Sequence, residues 1–341
     1  MILFDTTNAS RWRHGSGLSR VSARLADELG GSARQVRWPA PRGAAGPGDW
    51  LLTPELFSDE ERHGFSAFVD SRPCGLAAIY HDAIPIKHPA ITWPESVRRH
   101  PGYMKLLSRF DRVWAVSRAS REELLGFWKW QRVAAPPPVE VIGLGADWPG
   151  VARGRGAGAP AGGRPRIVSV GILEPRKNQG VLLDAFEELR GQGLDFELHL
   201  VGRVNPHFGG AIKERADRIG ARDPALRRHG QLSDGELADL VRSARATAMA
   251  SIAEGCGLPL LESLWMGVPC VCSDIAALAE SALGGGCELV RGNAREGWVG
   301  ALRRILTDDA HASRLSAEAA SRALPTWAEA ASAIRAALRA P

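Results

Sequence analysis

Short apolar runs of four to six residues alternate with helix-period segments along almost the whole chain. That alternation limits the fold to parallel sheets with crossover helices. The runs fall at 2–5, 50–53, 76–80, 113–116, 139–142, 166–170, 196–201, 246–250 and 270–273. Between them, 18–29 reads as a helix stopped by Gly30-Gly31. The segment 179–190 carries apolar residues at 181, 182, 185, 186 and 189 and stops at Gly191. A third helix starts at Ser233, where a Ser-x-x-Glu capping box reaches Glu236, and a fourth starts at Pro259 and ends at Gly267. The segment 151–165 (VARGRGAGAPAGGRP) has almost nothing to pack and is read as a linker. The expected organisation is a first domain over 1–150, the linker 151–165, a second domain over 166–322 and a terminal helix over 323–341. The informative loops 6–17, 81–88, 171–178, 202–208 and 252–259 all follow expected strands. In two doubly wound halves, strand ends of this kind converge on one shared ligand cleft.

The 341 residues suffice for two domains. No segment approaches the ~18 apolar residues of a membrane span, and the N-terminus lacks the pattern of a signal peptide. The five cysteines form no CxxC pair and read as reduced, buried thiols of a cytoplasmic protein. The net charge of +5 comes from 38 arginines and only five lysines, so each lysine invites inspection, Lys177 above all. The basic stretch 98–112 reads as a solvated helix face, with contact to a membrane surface as the alternative.

One stretch carries most of the chemistry. After the run 246–250 come Glu254, the turn Gly255-Cys256-Gly257, and Leu258-Pro259 opening a helix that holds Glu262 one turn in. Such a turn gathers unpaired N–H groups and a helix dipole, which suits a phosphate, while two carboxylates suit hydroxyls. The alternative is an ordinary strand–turn–helix unit with surface glutamates. The loop Gly171-Ile172-Leu173-Glu174-Pro175-Arg176-Lys177-Asn178 offers Arg176 as a fork and Lys177 as a point charge for a diphosphate. Asn178 is the expected N-cap, and a basic capping turn without a ligand is the competing reading. His81-Asp82 ends a strand and reads either as a hydroxyl-binding pair or as a structural histidine beside an acid. The loop His14-Gly15-Ser16-Gly17 admits a phosphate or sugar to the backbone, though it is neither a GxGxxG fingerprint nor a P-loop. No Asp-x-Asp triplet is present, so cationic side chains and helix dipoles would take a metal's place on a diphosphate.

Together these pieces resemble the retaining glycosyltransferases of the GT-B fold, family 4. The likeness is strongest over 166–280, where Glu254…Glu262 resembles the family's E-x7-E signature. Gly17-Leu18-Ser19-Arg20, His81-Asp82-Ala83-Ile84-Pro85 and Leu144-Gly145-Ala146-Asp147 are similar to a bacterial mannosyltransferase-like branch. Thr326-Trp327-Ala328-Glu329-Ala330 resembles the helix that crosses back onto the N-terminal domain. The resemblance implies two Rossmann-like domains facing a cleft. It implies Arg176 and Lys177 on the donor diphosphate, Glu254 on the donor sugar, Glu262 on the ribose and His81 near the reacting face. The donor-binding set it implies also contains Gly17, Gly171, Arg203, Gly255, Cys256, Gly257 and Leu258. Cys256 departs from a position more often aromatic in the family.

The resulting expectation is a metal-independent, retaining transfer of a hexose of mannose or glucose type. The donor is a GDP- or UDP-linked sugar, no further cofactor is involved, and the acceptor is a saccharide, lipid-linked or small-molecule hydroxyl. Bacterial surface polysaccharide or glycoconjugate synthesis is the expected setting, in the cytoplasm or at its membrane, without nucleic acid. The rival readings are a non-catalytic nucleotide-sugar-binding subunit and a GT-B-fold epimerase. A phosphorylase would need a longer chain and a lysine-bound pyridoxal group.

Overall fold

Twelve strands, each paired in parallel with its neighbours, build two six-stranded sheets in the computed structural model, which describes residues 1–10, 17–39, 45–154 and 163–339. The first sheet contains β1 (Ile2–Asp5), β2 (Ala33–Val36), β3 (Trp50–Thr53), β4 (Gly75–Tyr80), β5 (Arg112–Ala115) and β6 (Val139–Val141), in the order β2-β1-β3-β4-β5-β6. The second contains β7 (Arg166–Val170), β8 (Glu197–Val201), β9 (Leu226–His229), β10 (Ala246–Met249), β11 (Cys270–Ser273) and β12 (Cys287–Val290), in the order β12-β11-β10-β7-β8-β9. Helices cover both faces, so the inner strands read as unbroken buried runs rather than alternating ones. Every residue of β1, β8, β10 and β11 is buried. On one face of the second sheet Phe186, Phe196 and Trp298 pack with Leu198 and Val271. On the other face Leu260 and Leu264 pack with Cys270 and Cys272. The first sheet has its own core, with Phe57, Phe65, Tyr103 and Trp128.

The direction of winding reverses between β1 and β3 in the first sheet, and between β7 and β10 in the second. At each reversal two loops diverge and leave a crevice at the strand ends, where doubly wound folds place their ligands.

The chain crosses between its two units at positions other than the sequence suggests. One unit is Met1–Gly145 with Pro325–Pro341, and the other is Ala146–Leu324. The first crossing thus falls five residues before the expected limit at 150 and the second two residues after 322. The start of the expected linker packs within the second unit: Trp265 Nε1 donates to the Val151 carbonyl at 3.2 Å, and Arg153 lies 5.2 Å over the Trp265 ring. Residues 155–162 of that linker lie outside the described residues. The terminal helix Trp327–Arg339 belongs to the first unit, where it packs on the helix Gly17–Leu29 and Arg335 reaches the Glu28 carbonyl at 2.9 Å.

Gly145 packs directly against that terminal segment. A Cβ at this position would stand 2.3 Å from the Trp327 backbone nitrogen and 2.4 Å from its ring. Backbone cannot yield as a side-chain tip can. Gly145→Ala is therefore expected to cost about 3 kcal/mol and to lower the first unit's melting temperature by roughly 6–12 °C. Calorimetry checks this, and an unchanged melting temperature contradicts the packing.

Beside the second unit's central strands, β8 and β9 carry a hydrogen-bonded histidine pair. His199 Nε2 meets the Glu197 carboxylate at 3.1 Å and must donate to it, so His199 Nδ1 accepts from His229 Nε2 at 3.0 Å. Burial lowers both histidine pKa values, with Glu197 opposing the shift at His199 and Arg227 adding to it at both rings. The unfolded chain then binds protons that the folded chain refuses. Stability is full above the unfolded histidine pKa of about 6.5 and declines as pH falls below it. A melting temperature that drops between pH 7 and pH 5, with a shallower drop in His229→Gln, is the expected result. An equal drop in both proteins would remove the pair as its cause.

Residues 98–107 of the basic stretch lie in the helix Pro94–Leu107, where Arg98 and Arg99 are paired with Glu60, Glu61 and Glu95, and its last residue, Arg112, opens β5. Among the described residues, no helix is long and apolar enough to cross a membrane.

Candidate functional site

The crevice between β7 and β10 collects most of the residues singled out above. From β7 the chain turns at Gly171, runs through a 3-10 turn at Pro175–Lys177, and enters the helix Gln179–Gly191. From β10 it passes Ser251 and Glu254 and enters the helix Leu258–Trp265. The two loops are bonded to each other. The Ile252 N–H donates to the Arg176 carbonyl at 2.9 Å, and Arg176 Nη1 donates to the Ala253 carbonyl at 2.8 Å. Asn178 stands at the N-cap position but in a left-handed conformation without a capping side-chain bond, so the expected cap is not made.

At the centre, Lys177 Nζ donates to Glu254 Oε1 across the two loops. The lysine stem lies along Gly171, where a Cβ would come within 3.2 Å of Lys177 Cε. Arg176 Nη1 stands 3.3 Å from the other oxygen of Glu254. Burial alone would raise the Glu254 pKa, but the charges of Lys177 and Arg176, with hydrogen bonds from Lys177 and Ser251, bring it to about 2. Glu254 is therefore an anion throughout the physiological range. Burial pulls the Lys177 pKa below the ordinary lysine value, against the opposing pull of Glu254.

The helix Leu258–Trp265 opens with Gly257 in the left-handed region and Pro259 in its first turn. The Leu258 N–H bonds the Cys256 thiol, Pro259 has none, and the Leu260 N–H donates to the Gly257 carbonyl at 2.9 Å, so what this end offers an anion is its positive dipole. Glu262 lies one turn further on and is 6% exposed. The Cys256 carbonyl accepts the Ser281 hydroxyl at 2.6 Å, which fixes the turn. Burial, followed by the Glu254 charge, pushes the Cys256 thiol up to about 12, so it is no nucleophile. Gly255 and the buried Leu258 complete this turn.

The loop after β8 joins the same cluster. The Leu173 N–H donates to the Arg203 carbonyl at 2.9 Å. A Cβ on Gly202 would fall 2.2 Å from the Gly171 oxygen, so only glycine lets the two loops touch. Arg203 itself is exposed. Three residues to which the sequence reading gave no role support the site. Ser251 donates to Glu254, and Glu174 accepts Arg176 on one oxygen and the Asn205 amide on the other at 2.9 Å. None of the three carries a sequence signal for this role.

Two of the proposed residues belong to the first unit. His81 Nε2 donates to the Pro54 carbonyl at 2.7 Å and joins the ends of β3 and β4, while burial lowers its pKa. The ring is neutral, and Nδ1 is left as an acceptor. Gly17 opens the helix Gly17–Leu29 and is exposed, while residues 14–16 of its loop lie outside the described residues. At this unit's own reversal point, Arg62 is wholly buried between Asp5 and Glu55. Glu55 in turn accepts the N–H groups of Asn8 and Ala9, both at 2.6 Å.

Comparison with known proteins adds the family context. Residues 164–308 match the family model described as glycosyl transferases group 1. The serotype-specific mannosyltransferase WbdA of Escherichia coli is 29% identical over 239 residues, covering 63% of this chain and 28% of WbdA. The MMP alpha-(1->4)-mannosyltransferase of Mycolicibacterium hassiacum is 31% identical over 191 residues, covering 54% of this chain and 43% of that protein. The chain thus spans less than half the length of either relative. The crystal structure of Anabaena Alr3699/HepE in complex with UDP and glucose aligns over 99% of this chain and 98% of that one, with a TM-score of 0.73 and 16% identity. The two-sheet architecture is that of the GT-B fold.

Proposed function

We propose that this chain, whose residues 164–308 are a group 1 glycosyl transferase domain, moves a hexosyl group from a nucleoside-diphosphate sugar to an acceptor hydroxyl. The observation that carries the reading is the Lys177–Glu254 pair at the β7/β10 reversal, beside the N-terminus of the helix Leu258–Trp265. A cation and a dipole end suit a diphosphate, and an obligate carboxylate suits sugar hydroxyls. The named mannosyltransferase relatives and the UDP and glucose bound in the HepE structure support the same class of substrate.

In this reading the Lys177 ammonium and the positive dipole end of the helix Leu258–Trp265 stabilise the negative charge that grows on the departing diphosphate. They do so without a divalent metal. Glu254 exchanges part of its bonding to Lys177 for the donor sugar's hydroxyls, and Glu262 binds the ribose hydroxyls. His81 accepts a hydroxyl at Nδ1. The acceptor oxygen attacks the face from which the phosphate leaves and its proton passes to the departing phosphate oxygen, so configuration is retained and no enzyme nucleophile is needed. Donors are of GDP-mannose or UDP-glucose type. The acceptor is a saccharide, free or lipid-linked, of the kind used in bacterial surface glycoconjugates.

A thermal-shift panel of UDP, GDP, ADP and dTDP with their sugars tests the reading. One nucleotide series is expected to raise the melting temperature by mass action, and its sugar conjugate to be consumed when a saccharide acceptor is added. Stabilisation without consumption identifies a binding subunit instead, and no stabilisation by any of the four removes the reading.

A further inference from the structure

Arg176 and Lys177 are adjacent in sequence, yet their situations at the reversal point differ. Each of the three guanidinium nitrogens of Arg176 already holds an oxygen. Nε and Nη2 meet Glu174 Oε1 at 3.0 and 2.8 Å, and Nη1 meets the Ala253 carbonyl and Glu254. Its backbone carbonyl is also taken, by the Ile252 N–H. Arg176 thus stitches the loop after β7 to the loop after β10.

Glu174 holds it firmly. This carboxylate is 8% exposed, and its second oxygen accepts the Asn205 amide. The Asn205 side-chain oxygen in turn accepts the His207 N–H at 2.9 Å. Drawing Arg176 away to a phosphate would leave Glu174 as a buried anion facing one neutral amide, which is a costly exchange.

Arg203 is the reverse case. Its backbone is fixed in the same cluster by the Leu173 N–H, and Val204 beside it bridges to Leu173. Its side chain is exposed and, among the described residues, has no carboxylate or carbonyl partner. It offers a guanidinium to a ligand at no structural loss.

We infer that the donor diphosphate is held by Lys177 together with Arg203, and that Arg176 is a positioning residue that keeps Glu254 and the two loops in register. The inference rests on the transferase reading above and divides the labour within that site. A planar guanidinium gives the diphosphate the bidentate contact that an ammonium cannot.

The test compares Arg203→Ala, Arg203→Lys and Arg176→Lys in the full chain. Calorimetric titration uses the nucleoside diphosphate that stabilises the wild type, at low and moderate salt, with transfer kinetics alongside. Arg203→Ala is expected to weaken binding about tenfold, to flatten its salt dependence, and to leave the melting temperature unchanged; Arg203→Lys recovers part of the affinity. Arg176→Lys is expected to lower kcat about tenfold with binding within twofold, and to lower the melting temperature. Unchanged binding in Arg203→Ala overturns the inference and leaves the transferase reading standing. So does a tenfold loss of binding in Arg176→Lys at an unchanged melting temperature. If the wild type binds no nucleoside diphosphate, the transferase reading fails and takes this inference with it.

Discussion

Lys177→Ala is expected to lower kcat/KM for hexosyl transfer by about a thousandfold while the protein remains folded. Removing a single well-placed group from a developing anion typically costs two to three orders of magnitude, about 2.7–4 kcal/mol. Here the lost group is the only lysine at the reversal point, held by Glu254 and laid along Gly171. The fold survives because Arg176 still faces Glu254 at 3.3 Å and the two loops stay joined through Ile252 and Ala253. The Glu254 carboxyl then rises from about 2, as one of its two cationic neighbours is gone. Steady-state kinetics with the stabilising donor, beside circular dichroism, decide the matter. Activity within threefold of the wild type would end the diphosphate role of Lys177.

Arg62→Leu carries the second large effect, on stability rather than chemistry. Arg62 is completely buried, and its neighbours Asp5 and Glu55 have side chains only 4% exposed. Taking away the cation leaves two desolvated carboxylates side by side, and breaking a buried pair in this way costs about 3–5 kcal/mol. The first unit's melting temperature is expected to fall by roughly 6–20 °C. Acid should narrow the gap. Burial and the Asp5 charge already raise the Glu55 pKa, against the lowering effect of the Asn8 and Ala9 N–H groups and of Arg62. A carboxyl with a raised folded pKa costs stability as pH climbs from its unfolded value, about 4.3, through the folded one. Without Arg62 that penalty grows, so the variant approaches the wild type as pH falls toward 4.5. Melting curves at pH 4.5, 6 and 7.5 check this, and a gap that widens in acid would contradict it.

Much of this fold is legible in the residues because parallel strands covered on both faces must be apolar throughout. The runs that become β1, β3, β7, β10 and β11 are visible for that reason. The strands that escape sequence reading are β2, β9 and β12, and all three lie at sheet edges. Their sequences, Ala-Arg-Gln-Val, Leu-Arg-Arg-His and Cys-Glu-Leu-Val, mix charge with apolar groups because an edge has a solvated flank. The crossings between units are misplaced for a related reason. Composition marks the glycine-rich stretch at 151–165, whereas the crossing is made where Gly145 lets Trp327 approach, and such a contact leaves no mark on composition.

The site is legible to the extent that its loops follow strands. The 171–178, 202–208 and 252–259 loops do meet, and Lys177 and Glu254 do face each other. Roles within the cluster are less visible. The sequence Glu174-Pro175-Arg176-Lys177 presents two adjacent cations, and nothing in it says that Glu174 turns back onto Arg176. Only the structure shows that Arg176 is tied back to Glu174 while Lys177 reaches across to Glu254.

The two crossings also set the order in which the molecule can be finished during synthesis. The second unit is uninterrupted from Ala146 to Leu324, so its core closes as soon as that stretch has left the ribosome. The first unit, although translated earlier, must wait for the residues of Trp327–Arg339. Until they emerge, Val21, Leu25 and Leu29 on the helix Gly17–Leu29 lack the partner that helps to bury them. The nascent chain therefore completes its second unit first, and the unit translated first is sealed last.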